Sequence, residues 1–119
     1  MTTDLQSLST EEFCYLTTIG RVSGKPHEIE IWFAINDSAL YMLSGARDRS
    51  DWVKNLRHNP EVTVWLTGED FEGRARVVED AEEDALARRL LVEKYERDPG
   101  ILANWGRTAL PVAVDLTLA

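Results

Sequence analysis

An alternation of apolar and polar residues in the first third of the chain is the clearest pattern in the sequence. His27, Ile29, Ile31, Phe33 and Ile35 fall on one side and the residues between them on the other, which is the two-residue period of a strand with one buried face. Further segments rich in β-branched and aromatic residues predict five more strands. The six predicted strands cover residues 13–18, 27–35, 39–44, 62–66, 71–78 and 110–116.

Two segments change to helical spacing. Trp52 and Leu56 recur on one side of a short helix predicted over residues 48–58, after the third strand. Asp80 and Glu83 resemble a capping box at the start of a longer helix, which is predicted from residue 81 to about 97. This helix lies before the last strand. The segment between this helix and the last strand is predicted to be a loop.

This order of elements predicts a mainly β fold with two helices. The turns between neighbouring strands are short, which favours antiparallel pairing because parallel neighbours need long crossovers. We therefore expect a six-stranded antiparallel split β-barrel, since closing a sheet removes its exposed edges. A five-stranded barrel of the oligonucleotide-binding type is the main alternative, and the acidic composition counts against it.

Length and composition set the class of protein. The chain has 119 residues, 44% of them apolar, which predicts a single domain over residues 1–119 with one core. Cys14 is the only cysteine, so an internal disulfide is excluded and a cytoplasmic location is favoured. The first residues resemble no signal peptide, and no apolar run approaches the length of a membrane span.

The charge is unevenly distributed. The net charge of −8 disfavours sequence-independent binding to nucleic acid or to an anionic membrane. Residues 21–57 nevertheless carry six basic against five acidic side chains, whereas residues 58–119 carry seven against thirteen. This relatively basic stretch is a candidate binding site for an anion, although charge patterning alone is weak evidence.

Motifs of catalysis by protein side chains are absent. His27 and His58 have no metal-ligand spacing to other residues, so we predict no metal site. Nucleophile elbows, phosphate loops and dinucleotide fingerprints are also missing. Tyr15, Tyr41 and Tyr95 are each possible proton donors, yet each fits a core position equally well, and no catalytic residue is assigned.

Two short stretches carry candidate binding residues. The first is a predicted strand-to-helix junction, where unpaired amides and arginines favour an anion; its candidates are Ser44, Gly45, Arg47, Arg49 and Ser50. The alternative is an exposed cap in which the arginines pair with Asp48 and Asp51. The second stretch lies on and after the first turn and offers Arg21, Ser23, Lys25 and His27, which a solvated hairpin turn explains equally well. A planar ligand could also find an aromatic wall, although most candidates fit a core or dimer-interface position equally well; they are Trp32, Trp52, Trp65 and Trp105.

Taken in order, these segments resemble a known family. Leu16-Thr-Thr-Ile-Gly-Arg-Val-Ser-Gly-Lys-Pro, Leu40-Tyr-Met-Leu-Ser and Trp52-Val-Lys-Asn-Leu-Arg-His-Asn-Pro are similar to the deazaflavin (F420)-dependent nitroreductase and quinone reductase family. That family belongs to the flavin-binding split-barrel superfamily related to pyridoxamine phosphate oxidases. The resemblance extends over nearly the whole chain.

The resemblance implies an oxidoreductase in which reduced coenzyme F420 passes a hydride to a small electron-poor acceptor, namely a quinone, an enone or a nitro compound. It implies a homodimer, and it matches Arg21, Ser23 and Lys25 to the first cofactor loop. Residues 44–50 with Trp52 and Asn55 match the segment along the cofactor. Alternatives are a related barrel that binds FMN and a non-catalytic cofactor carrier.

The chain departs from its relatives at two places. They often have a lysine where this chain has Val22 and a basic residue where it has His27, which implies weaker or differently arranged contacts to the phosphate or polyglutamate tail. The tyrosine-rich C-terminal segment that shapes their substrate pocket is thin here, with Tyr95 and Trp105 as the nearest candidates.

Overall fold

A computed structural model describes residues 5–117. The strands are β1 (Cys14–Ile19), β2 (Pro26–Ile31), β3 (Ala34–Asn36), β4 (Ala39–Ser44), β5 (Glu61–Leu66), β6 (Glu69–Val77) and β7 (Leu110–Leu116). The helices are α1 (Asp51–His58), α2 (Ala81–Tyr95) and α3 (Ala103–Thr108), with 3-10 turns at Leu5–Leu8 and Arg47–Arg49. No helix within residues 5–117 is long and apolar enough to cross a membrane.

The strands form one antiparallel sheet in the order β2-β1-β5-β6-β7-β4-β3. Its two edge strands, β2 and β3, are joined by only Trp32 and Phe33. Three Cα–Cα steps span about 11 Å at most, so the edges approach each other at this point and the sheet must curl. This is the split β-barrel that the sequence predicts, and the fold class is confirmed.

The predicted count of six strands is wrong, because the strand expected over residues 27–35 is two strands. The alternation of buried residues breaks where Phe33 and Ala34 are both buried. Phe33 makes its backbone hydrogen bonds with side chains of α2 instead of with a neighbouring strand. The chain therefore leaves one edge of the sheet at Trp32 and joins the other edge at Ala34.

Two helix predictions also need correction. The short helix begins at Asp51, not at residue 48, because the preceding residues form a separate 3-10 turn in which Arg47 has a φ of 56°. The predicted loop before the last strand contains α3, whose Gly106 packs against α2: a Cβ on Gly106 would lie 2.5 Å from Val92 Cγ2.

The core has two parts on opposite faces of the sheet. The larger fills the barrel and includes Leu16, Met42, Val64 and Val114, with Val53 of α1 packed among them. The smaller lies outside the barrel, where α2 covers β3, β4 and β7. One short helix therefore packs against the barrel interior, and one long helix packs against its outer surface.

Candidate functional site

A cavity of about 500 Å³ lies between the β1–β2 hairpin and α1. The hairpin contributes Thr18, residues 20–23, and residues 27–29 near the start of β2. Helix α1 contributes Asp51, Trp52 and Asn55 from its first turns. The volume lies in the range of small-molecule sites, and the cavity joins two segments that are distant in sequence.

Arg21 is fixed at the wall of this cavity by Asn55. The Asn55 Oδ1 atom accepts hydrogen bonds from the Arg21 backbone N–H at 3.2 Å and from Arg21 Nη1 at 2.8 Å. Arg21 Nη2 also pairs with Asp51 Oδ1 at 3.2 Å. A guanidinium has five donors, and these contacts engage two of its three nitrogens, so the group is oriented while it keeps capacity to bind an anion.

Asn55 is 5% exposed and Thr18 is 1% exposed, so their polar groups need partners inside the protein. Asn55 Nδ2 donates to Thr18 Oγ1 at 3.3 Å, which fixes the amide orientation. Thr18 follows Cys14 and Leu16 on the buried side of β1. Thr18 is not among the predicted site residues, although a polar residue at the end of an apolar strand face is a signal visible in the sequence.

The turn that begins with Gly20 is closed by its own hydrogen bonds. The Gly20 N–H donates to Lys25 O at 2.8 Å, and Ser23 Oγ accepts from the Lys25 N–H at 3.1 Å. Ser23 Oγ also lies 3.3 Å from His27 Nε2. A Cβ on Gly20 would lie 2.6 Å from Ser23 Oγ and 2.7 Å from His27 Nε2, so this position needs a glycine while those side chains stay in place.

The other candidate residues form a separate turn. Ser44 Oγ donates to Arg47 O at 2.8 Å and lies 2.8 Å from Ser50 Oγ. Arg47 Nη1 donates to Thr108 O at 2.5 Å, and Arg49 Nε to Ala46 O at 3.4 Å. Within residues 5–117, neither arginine forms an ion pair with Asp48 or Asp51, and Asp51 pairs with Arg21 instead.

The structure thus divides the predicted site residues into two sets. One cavity brings together Arg21, Ser23, His27, Trp52 and Asn55. That cavity is not lined by Ser44 at the end of β4, by Gly45, Arg47, Arg49 and Ser50 in the turn before α1, or by Lys25. Val22 does line it and is 93% exposed.

An aromatic groove of about 510 Å³ opens farther along β2. It is lined by Glu30, Ile31, Trp32, Leu43, Leu102 and Trp105. Glu28 and Ile29 line the cavity, whereas the next two residues of β2 line the groove. Residues two apart on a strand are separated by about 7 Å, so the cavity and the aromatic groove follow one another along the same edge strand.

The tyrosine hydroxyls are engaged in hydrogen bonds. Tyr15 donates to Glu30 Oε1 at 3.2 Å and Tyr41 to Glu83 Oε2 at 2.7 Å. The Tyr95 hydroxyl contacts the backbone of Phe33 and Glu12, and burial raises its pKa to about 12. No three His, Cys, Asp or Glu side chains of the described chain are grouped so that they could hold a metal ion.

Comparison with known proteins gives a family match. The model of the family described as F420H(2)-dependent quinone reductase matches residues 3–117. No curated protein sequence matches the chain significantly.

Among solved structures, an F420-H2 dependent reductase (FDR-A) is 22% identical with a TM-score of 0.70, covering 87% of this chain and 94% of the other. The heme storage protein HutZ from Vibrio cholerae is 16% identical with a TM-score of 0.77, covering 97% and 89%. A domain-swapped dimer is 22% identical with a TM-score of 0.67, covering 87% and 80%. At these identities the likeness to solved structures shows the fold alone.

Proposed function

The chain belongs to the F420H(2)-dependent quinone reductase family, and from this premise we propose that it transfers a hydride from reduced F420 to a small electron-poor acceptor. Quinones, enones and nitro compounds are the proposed acceptors. The observation that carries the proposal is the arrangement along β2, where a cavity walled by an oriented arginine is followed by an aromatic groove. An anionic cofactor and an apolar acceptor would each find matching chemistry there.

The residues of the cavity fit a cofactor with an anionic tail and a planar ring. Arg21 offers charged donors to a phosphate or carboxylate, and Ser23 and His27 add polar groups beside it. Trp52 offers an aromatic face for a ring. Glu28 and Asp51 also line the cavity, so its charge is mixed, and we propose that the tail is held by few contacts.

Each part of the chain has a separate task in the proposed reaction. When bound, reduced F420 supplies the hydride, and the protein supplies position and electrostatics. Arg21, held by Asn55, would bind the anionic part and set its place along the strand. The groove walls Ile31, Leu43 and Leu102 would remove water from an apolar acceptor, whose binding they favour by burying its surface.

We propose that the acceptor lies against Trp32 and Trp105, because flat conjugated rings bind well to aromatic walls. Trp105 lies edge-on to Trp32, with ring centroids 5.7 Å apart and an interplanar angle of 89°. The backbone of Gly45 passes beside Trp105, since a Cβ there would lie 3.7 Å from Trp105 Cδ1. The turn before α1 thus borders the groove.

A homodimer is part of the proposal. An aromatic row on the outside of β1 and β5 comprises Phe13, Tyr15 and Trp65, with successive ring centroids 5.6 and 5.5 Å apart. Phe13 and Trp65 are each 39% exposed, and exposed aromatic clusters are common at interfaces. The domain-swapped neighbour supports self-association. Light scattering gives the molecular mass of the purified chain in solution. We expect the mass of a dimer for the wild type and a smaller mass for Trp65→Asp.

We also propose a cytoplasmic location. Cys14 is buried, and burial raises the pKa of its thiol to about 12, so the thiol stays protonated. With one cysteine the chain can form no internal disulfide, and it therefore needs no oxidising compartment.

The function is tested by equilibrium binding followed by single-turnover kinetics. We expect the purified chain to bind F420 at micromolar concentrations, and FMN more weakly. Stopped-flow mixing of the complex of protein and reduced F420 with menadione should oxidise the cofactor faster than menadione does in buffer. Failure to bind F420 would refute the proposal, preference for FMN would favour an FMN enzyme, and binding without acceleration would indicate a carrier.

A further inference from the structure

The end of α2 holds the chain at the point where β2 ends and β3 begins. The Tyr95 hydroxyl accepts a hydrogen bond from the Phe33 N–H at 3.0 Å. The same hydroxyl oxygen lies 2.8 Å from the Glu12 carbonyl oxygen and 3.0 Å from the Phe33 carbonyl oxygen, and it can donate its proton to either. Lys94 Nζ donates to the same Phe33 carbonyl at 2.9 Å. Both backbone polar groups of Phe33 are therefore bonded by two consecutive residues of α2.

Lys94 adds a second type of contact at this point. Its ammonium group lies 3.7 Å from the centroid of the Phe33 ring, which is within the range of a cation–π interaction. In the described part of the chain Lys94 forms no ion pair. Its packing is therefore directed to Phe33, which supports a role in fixing the backbone there.

The ring of Tyr95 is stacked on Trp32. The two ring centroids are 4.3 Å apart and the planes differ by 2°. Trp32 lines the aromatic groove, whereas Tyr95 does not. Tyr95 thus supports the indole of Trp32 and binds the backbone of the next residue.

A residue that only filled the core would need neither of these directional contacts. Here the ring and the hydroxyl of one side chain act on two consecutive residues, and one of these is a wall of the groove. We propose that Tyr95 is a positioning residue that holds the Trp32 indole in place and makes the groove selective for flat, fused-ring acceptors. This inference rests on the proposed function, because the groove is taken to be the acceptor site.

The consequence of losing the stack is specific. A Trp32 ring without support on one side can rotate about its side-chain bonds, so the groove loses its fixed wall. A flat bicyclic quinone such as menadione would lose contact area, whereas a small non-planar acceptor such as 2-cyclohexen-1-one would lose less. Cofactor binding would not change, because neither Tyr95 nor Trp32 lines the cavity.

The test compares Tyr95→Phe and Tyr95→Leu with the matched variant Tyr41→Phe. Tyr41 also donates its hydroxyl to a partner on α2, Glu83, but it does not line the groove. Tyr95→Phe removes only the hydroxyl bonds, and we expect the menadione KM to rise about threefold, within the range for a lost hydrogen bond. Tyr95→Leu also removes the stack, and we expect a rise of about tenfold, since an aromatic pair contributes beyond its buried area.

We expect the Tyr95 variants to change the menadione KM while kcat and the Kd for F420 stay nearly constant. In both Tyr95 variants kcat should stay within about twofold and the Kd for F420 should not change, and the preference for menadione over 2-cyclohexen-1-one should fall. Tyr41→Phe should leave all of these unchanged. An unchanged menadione KM and an unchanged preference in Tyr95→Phe and Tyr95→Leu would overturn the inference, as would equal changes in Tyr41→Phe.

Two measurements keep this test separate from the proposed function and from misfolding. Saturable quenching of tryptophan fluorescence by menadione, measured with Trp52→Phe and Trp65→Phe so that only the groove residues Trp32 and Trp105 fluoresce, reports binding to the groove without turnover. This quenching should weaken when Tyr95 is substituted in the same background. Should the wild type neither bind nor use F420, the proposed function fails, and the quenching result alone decides the role of Tyr95. If Tyr95→Leu does not fold, Tyr95→Phe is used alone to test the role of Tyr95. In that variant, faster hydrogen exchange of the Phe33 amide without weaker quenching by menadione would mean that Tyr95 has only a structural role.

Discussion

Arg21 and Arg47 lie in two turns of the same basic stretch, and they are held in opposite ways. Arg21 is bonded to the side chains of Asn55 and Asp51 at the wall of a cavity. Arg47 is bonded to the backbone carbonyl of Thr108. An arginine oriented by side chains at a cavity wall still presents donors to a ligand, whereas one bonded to a distant carbonyl connects two segments of the fold.

The backbone strengthens this contrast. Arg47 has a φ of 56°, a left-handed conformation that costs a residue with a side chain about 1–2 kcal/mol. Its carbonyl accepts from Ser44 and its guanidinium donates to Thr108, and such contacts are what keep a strained residue in place. The basic residues of this stretch are therefore divided between a turn at the wall of a cavity and a turn whose arginine is bonded to the backbone of another segment.

Arg21→Ala is expected to give the largest change. Hydrogen bonds to charged groups are worth about 1.5–3 kcal/mol, so the Kd for F420 should rise about ten- to hundredfold. Titration of F420 fluorescence measures this, with Arg57→Ala, an exposed arginine of α1 outside the cavity, as the control. An affinity equal to the wild type would move the anion site elsewhere.

Gly20→Ala is expected to weaken F420 binding about fivefold, because the new methyl group displaces Ser23 and His27 from the cavity wall. The free energy of unfolding should fall by less than about 1 kcal/mol, since both displaced groups are at the surface. Urea denaturation together with the F420 titration measures both quantities. A loss of stability without a loss of affinity would show that this turn is not part of the site.

Arg47 variants should separate stability from binding. Arg47→Ala should lower the free energy of unfolding by about 1 kcal/mol through the lost hydrogen bond, and Arg47→Gly should recover most of it, because glycine tolerates a positive φ. The Kd for F420 should change by less than about twofold in both, far less than an ion-paired contact would give. If either Arg47 variant lost as much affinity for F420 as Arg21→Ala, the turn of Arg47 would contribute to cofactor binding as much as the turn of Arg21.

Glu83 offers a perturbation away from both turns. Its carboxylate accepts two hydrogen bonds from Arg76 at 2.7 Å and one from Tyr41, and the Arg76 contact lowers its pKa from 4.5 to about 2. This stabilisation is present above pH 4.5 and is lost as the pH falls toward 2. In Glu83→Gln, the free energy of unfolding should fall less steeply as the pH is lowered from 4.5 toward 2. The affinity for F420 at pH 7 should not change. If the free energy of unfolding of Glu83→Gln still fell at low pH as it does in the wild type, other carboxylates would be responsible for that fall.

The fold was predictable to the extent that the chain specifies it locally. The last strand and the helix of α2 were predicted closely because period and capping are local features. The break after β2 was not, since it depends on Tyr95, 62 residues away in sequence. Likewise α3 contains a glycine, which disfavours a helix, and it is stabilised by close packing on Val92 of α2. Helix propensity depends on neighbouring residues in the sequence and does not predict such a contact.

The site was predictable only in part for a similar reason. Charge and turn chemistry identified both arginine-bearing turns, and they gave no way to distinguish them. The distinction depends on Asn55, a buried amide that reaches Arg21 from another element. Family resemblance had named Asn55, but its partner Thr18 and the groove residues Leu43 and Leu102 come together only through the closure of the barrel.

The most direct test is a map of backbone amide shifts on adding F420 to the purified, ¹⁵N-labelled chain. We expect the largest saturable shifts on Gly20, Arg21 and Asn55, around the cavity, and smaller shifts on Gly45 and Arg47. Arg21→Ala should remove the saturation at the same F420 concentrations. If the largest shifts were confined to the turn before α1, or if no shift were saturable, F420 would not bind in the cavity.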